Sequence, residues 1–231
     1  MAALEATYRV VAYDHRGTHA NPGELPERYT IAEMADDVVG ILDNAGIARA
    51  HVMGHALGGL VALNLALRAP ERLLSILLVN AWAAVDAHTR RCFDARMLLL
   101  QHAGPAAYVR AQPIFLYPAA WLARNEAAIA AEEAHGIAHF QGAPNLLRRI
   151  AALRAFDVSD RLGAVRTPTW VAAARDDVLV PYVCSERLAD RIAGAQLWLT
   201  PEGGHACTVT DPNPFNAAML SFLAGVSAED E

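Results

Sequence analysis

The chain has 231 residues, 54% of them hydrophobic and 19% charged, which is enough apolar side chain for one large core and excludes a disordered or collagen-like polymer. Nineteen Lys and Arg against 25 Asp and Glu leave a formal charge of -6 with no basic block, so no nucleic-acid partner is expected. Three widely separated cysteines, Cys92, Cys184 and Cys207, form no C-x-x-C pair, and no apolar run reaches the roughly 18 residues of a bilayer span. Together these predict a cytoplasmic protein without membrane contact, monomeric or homodimeric.

In chain order, Tyr8 to Asp14 is rich in aliphatic and aromatic residues and is followed by the turn-rich stretch from His15 to Gly23, which predicts strand then loop. Thr30 and Glu33 have capping-box spacing, opening a helix with apolar positions at Ile31, Met34, Ala35, Val38, Ile41 and Leu42. A second strand from Ala50 to Met53 enters Gly54-His-Ala-Leu-Gly-Gly59. Leu60 to Ala69 reads as a helix ended by Pro70, and Leu73 to Val79 as a strand buried on both faces.

From Trp82 to Phe156 the pattern is helical only, with breaks expected near Gly104-Pro105, Pro113, Pro118, Gly136 and Gly142 to Pro144. The alternation then resumes with strand Thr169 to Ala174, helix Cys184 to Ile192, strand Gln196 to Thr200 and helix Pro214 to Ala224. This order predicts an α/β chain with a mostly parallel sheet: a first core part at 1–81, a helical cap insertion at 82–156 and a second core part at 157–231.

Gly54-x-Ala56-x-Gly58 lies where a strand turns sharply into a helix, a turn that thrusts its central residue to the top of the sheet. The central position is Ala56, and a methyl group cannot act as a nucleophile. Asp177 and His205 each follow a later strand, in the crevice where open α/β sheets bind ligands. Asp177 can orient His205 and leave its other ring nitrogen to act as a base toward water. Asp176 is a competitor, more simply read as a loop carboxylate or helix cap. His55 is read as structural or as a polar wall, and Cys207 as a buried neutral thiol.

The elbow, Asp177-x-x-x-Pro181, Gly204-His205 and the loop Tyr13-Asp-His-Arg-Gly17 together resemble the α/β-hydrolase fold. Further stretches, including Val52 to Gly59, Ala87 to Phe93, Ala111 to Pro118, Ala138 to Gly142 and Asn145 to Arg149, resemble the D-protein family of the bacterial pyrimidine-utilisation pathway over nearly the whole chain. The resemblance implies hydrolysis of a very small C-N compound in uracil breakdown, a bond other than a peptide bond. Carbamate going to ammonia and carbon dioxide is the first expectation. Aminoacrylate going to malonic semialdehyde and ammonia is the alternative, and a non-catalytic small-molecule binder that keeps the hydrolase frame is another.

The expected site comprises His205 and Asp177 as catalytic groups, Ala56 at the elbow without a nucleophile, and the N-H of Leu57 as oxyanion donor. A small anionic substrate could meet Trp82, Arg90, Arg91, Tyr117 and His139 in the insertion, where His88, Arg96, Arg148 and Arg149 are further polar candidates. His135 and His139 are four apart but have no third ligand, so no metal and no cofactor is expected.

The resemblance also makes Tyr8 to Asp14 the family's fourth strand, with strands one to three and their oxyanion loop absent ahead of it. Two explanations follow: a start assigned too far downstream, or a fragment that closes the gap by pairing strands that are not neighbours in the family.

Overall fold

A computed structural model describes residues 2–229 and contains a four-stranded parallel sheet in the order β1 (Ala50–His55), β2 (Leu73–Val79), β3 (Thr169–Ala174) and β4 (Gln196–Thr200). The helices are α1 (Ala2–Glu5), α2 (Ile31–Asn44), α3 (Leu57–Arg68), α4 (Ala87–Leu116), α5 (Ala119–Arg124), α6 (Glu126–Ala138), α7 (Ala143–Ala155), α8 (Val183–Arg191), α9 (Cys207–Thr210) and α10 (Pro212–Glu229). The three strands after the elbow strand occupy the bounds that their apolar runs predict.

Strand periodicity divides the core. Ile76 and Leu78 of β2 join Val171 of β3 in the larger core, which holds α2, α3 and α8, while Leu77 and Val79 join Trp170, Ala172 and Ala174 against Phe215, Met219, Phe222 and Leu223 of α10. Successive side chains point to opposite faces, so a sheet covered on both sides requires continuous apolar strands. At the start of α2 the capping box forms as the spacing predicts, with Glu33 N-H donating to Thr30 Oγ1 at 3.2 Å and Thr30 N-H donating to Glu33 Oε2 at 2.8 Å.

Between β2 and β3 the chain is helical. The two ends of this stretch meet: Ala84 and Asp157 form an antiparallel bridge, and Val158 N-H donates to Ala83 O at 3.0 Å. Two expected breaks do not occur there. Pro113 lies inside α4, whose only non-helical residue is Gly104, and Gly136 lies inside α6. A Cβ on Gly136 would sit 3.1 Å from Val109 Cγ1, so this glycine permits close approach of α6 to α4 rather than a break.

Tyr8 to Asp14 is not a strand. A strand exists only where a neighbour takes its main-chain hydrogen bonds, and among the described residues none lies beside this segment. Tyr8 instead meets the ring of His51 edge-on at 5.8 Å and packs at the border of the second core. Among the described residues, strands that are not family neighbours therefore do not pair to close a gap: there β1 bonds only β2 and stands at the sheet edge, where Met53 is 46% exposed. Among the described residues no helix is long and apolar enough to cross a membrane.

Candidate active site

The elbow is built by close approach. A Cβ on Gly54 would lie 2.0 Å from the carbonyl carbon and oxygen of Gly58, and one on Gly59 would lie 2.6 Å from the Ala81 Cβ. Between them Ala56 has φ 47 and ψ -109, a backbone that side chains rarely adopt, fixed by its N-H donating to Val79 O at 2.9 Å. Leu57 is the first residue of α3, in the turn whose N-H groups have no acceptor within the helix and lie at the positive end of its dipole.

Asp177 and His205 are brought together from the ends of β3 and β4. His205 Nδ1 lies 2.8 Å from Asp177 Oδ2, and both side chains are almost fully buried. The other carboxylate oxygen accepts from Leu179 N-H at 2.8 Å and Val180 N-H at 2.9 Å, so three donors fix the Asp177 carboxylate. Nδ1 of His205 must carry the proton in that contact, leaving the lone pair on Nε2. Among the described residues Nε2 has no hydrogen-bond partner.

Asp176 is neither a free loop carboxylate nor a helix cap. Its Oδ1 accepts from Gly204 N-H at 2.8 Å and its Oδ2 from Gly203 N-H at 3.2 Å, which ties down the loop immediately before His205. The same loop is held from above by α4, whose Leu116 O accepts from Ala206 N-H at 2.9 Å.

Sequence reasoning missed Asn80. It is fully buried, follows β2 directly, has φ 48, and donates from Nδ2 to the His205 carbonyl at 2.7 Å. A polar residue ending an all-apolar strand on the ligand-binding edge was the available signal. His55 Nε2 lies 2.8 Å from the same carbonyl, so it too is a donor and its ring is the neutral Nε2-H tautomer. Burial of that ring, and next the neighbouring His205, push the His55 pKa down to about 3. His55 ends the edge strand and its side chain as a whole is exposed, which weakens the burial; the downward direction stands because the neighbouring His205 acts the same way.

The residues expected in the insertion do not converge. Arg90 and Arg91 are exposed, and Arg91 donates to Ala87 O of its own helix at 2.8 Å. Tyr117 donates its hydroxyl to Glu132 at 2.8 Å and stacks on Trp121. His139 is exposed, stacks on His135, and its Nδ1 lies 3.0 Å from the His135 carbonyl. Trp82 is in the core against Phe93, with an indole N-H that has no acceptor among the described residues.

Arg148 and Arg149 serve one loop by different routes. Arg148 bonds Leu25 O and Glu24, and Arg149 bonds Gly17 O. Cys207 is a buried thiol that its surroundings push up to about 11, burial being the main cause. Among the described residues no group of three or more His, Cys, Asp or Glu is arranged to hold a metal ion. A cavity of about 210 Å³ opens between α4 and α6, and its lining includes neither His205 nor Asp177.

The model of the family described as serine aminopeptidase, S33, matches residues 3–213. A protein of Variovorax paradoxus provisionally named carbamate hydrolase RutD is 56% identical over 227 residues, covering 98% of this chain and 85% of that protein. The chain belongs to the RutD family. A RutD relative of Caulobacter vibrioides strain NA1000 is 52% identical over 97% of the chain and 84% of its own length. Among solved structures, a hydrolase from Pseudomonas aeruginosa PA01 superposes with a TM-score of 0.85 at 32% identity, over 96% of this chain and 82% of that one. The enol-lactonase of Burkholderia xenovorans LB400 gives 0.87 at 24% identity, over 96% and 84%, and shows the α/β-hydrolase fold. This RutD-family chain thus has the α/β-hydrolase frame with alanine at the elbow.

Proposed function

We propose that this protein hydrolyses carbamate in pyrimidine catabolism, with His205 as general base toward water and Asp177 as its orienting partner. The observation that carries the reading is the 2.8 Å Asp177–His205 contact, kept intact beside an elbow whose central residue is Ala56. An acyl-enzyme route needs a nucleophile that Ala56 lacks, whereas water activation needs only the histidine base. The names of the RutD relatives supply the substrate.

In this scheme His205 Nε2 takes a proton from water as the oxygen adds to the carbamate carbon. The proton then goes to the nitrogen as the C-N bond breaks. Carbamate and water give ammonia and bicarbonate, the hydrated form of carbon dioxide, so atoms and charge balance. Leu57 N-H, in the first turn of α3, would face the developing oxyanion, and the helical stretch 82–156 would act as the cap over the reacting centre.

Carbamate decomposes unaided, so the test is acceleration. Ammonia release is followed by stopped flow from freshly mixed carbamate, with wild-type protein, His205→Gln and Asp177→Asn. General acid-base help of about 10² to 10⁴ is expected for wild type, with His205→Gln returning to the uncatalysed rate. An unchanged rate in His205→Gln overturns the reading. Aminoacrylate assayed in parallel assigns the substrate.

A further inference from the structure

Arg96 stands apart from the other arginines. It is 8% exposed, yet its guanidinium has no carboxylate partner among the described residues. Its Nη2 donates to the Tyr108 hydroxyl at 2.8 Å and to Gln112 Oε1, both neutral, and its buried Nε has no partner. The faces of Phe93, Tyr108 and Phe115 surround it at 5.3 to 5.7 Å. Aromatic faces and neutral acceptors offset part of the desolvation of a buried cation, and a counter-anion offsets more. The other deeply buried arginine, Arg149, differs because it is turned onto the main-chain carbonyls of the Gly17 loop.

The two acceptors of Arg96 also line the 210 Å³ cavity between α4 and α6. Because each receives the guanidinium through its oxygen, the Tyr108 O-H and the Gln112 amide N-H groups remain as donors, polarised by the charge behind them. Gln141 lines the same cavity with a buried Oε1 that lacks a partner, and half a turn of its amide presents N-H instead. Glu132 and Glu133 of α6 also line it. Both keep solvent contact, which screens them, and Glu132 is engaged by Tyr117.

We infer that this cavity is a binding site for a small carboxylate-type anion, held by Tyr108 and Gln112 with Arg96 as the buried charge behind them. The site is separate from the Asp177–His205 pair and does not depend on the function proposed for that pair.

Acetate, titrated at constant ionic strength against a chloride control, is the probe, read by the thermal midpoint and by calorimetry. Wild-type protein should bind acetate saturably and gain stability with its concentration. Arg96→Met should weaken binding by roughly tenfold or more while melting no lower than wild type without acetate, because a buried charge without a counter-ion has been removed. His205→Gln should bind acetate as wild type does. Tyr108→Phe, which removes one donor and little volume, should weaken binding too and decides the matter if Arg96→Met does not fold. No saturable acetate binding by wild type, or unchanged binding in Arg96→Met or, failing its folding, in Tyr108→Phe, overturns the inference.

Discussion

Asn80 donates its side-chain amide to the main-chain carbonyl of His205 at 2.7 Å, linking the end of β2 to the loop after β4. The carbonyl also receives His55, so the histidine backbone is held on both sides of its own residue: by Asp176 through Gly204, and by Asn80 and His55 through His205. Asn80 is therefore a positioning residue. Asn80→Asp puts an acceptor against a carbonyl and should lower kcat by about tenfold or more, the worth of one buried hydrogen bond. Its activity should fall as pH rises through the pKa of the new carboxyl, because that carboxyl donates only when protonated. A pH-rate profile separates this from simple destabilisation, which adds no such descending limb.

Ala56 occupies the elbow backbone without the side chain that the backbone is built to present. Ala56→Ser should fold, since one oxygen is added at the mouth of the sheet. With His205 and Asp177 in place the variant should be labelled by a fluorophosphonate, adding one phosphonyl group to the intact mass, while wild type stays unlabelled. Absence of an adduct would mean that the elbow no longer directs this position toward His205.

Two glycines separate packing from propensity. Gly54→Ala drives a methyl into the Gly58 backbone, where nothing can move cheaply, and should destabilise by about 3 kcal/mol or more, as seen for severe overpacking. Gly40 of α2 has open space at its Cβ, and Gly40→Ala should stabilise by about 0.5 to 1 kcal/mol through helix propensity. Urea denaturation of the two variants reads both.

The depressed pKa of His55 gives a pH dependence of defined sign. Between about 3 and its ordinary value of 6.5 the unfolded chain binds the proton and the folded chain does not. The contribution of His55 is thus fully present above pH 6.5 and is lost as pH falls toward 3. His55→Gln, which keeps a donor for the His205 carbonyl without titrating, should have a flatter stability curve across that window. Equal slopes for the two proteins, from urea midpoints at several pH values, would remove His55 from the acid sensitivity.

Much of the fold was legible because β2 and β3 are nearly continuous apolar runs, and burial on both faces of a sheet demands that pattern, while β4 is a short, partly exposed edge strand. The elbow glycines, the capping box at Thr30 and the order of Ala56, Asp177 and His205 were legible for similar reasons, each being a local backbone requirement or a strand end. Gly136 misled because a glycine that breaks a helix and one that lets two helices touch look alike along the chain. Tyr8 to Asp14 misled because strand composition carries no information about whether a neighbour is present to bond.

The sequence by itself determined the strand order along the chain, the helical character of 82–156, the absence of a nucleophile at Ala56 and the family resemblance, all of which depend on residue type and spacing. Only the tertiary structure decided that Asp176 turns onto the Gly203 and Gly204 N-H groups while Asp177 meets His205, that Asn80 and His55 share the His205 carbonyl, and that Arg96 is buried without an acid while Arg90 and Arg91 face solvent. Those outcomes depend on which side chains from distant segments arrive at the same point. Adjacent residues such as Asp176 and Asp177 differ in direction rather than in kind, and direction is set by packing.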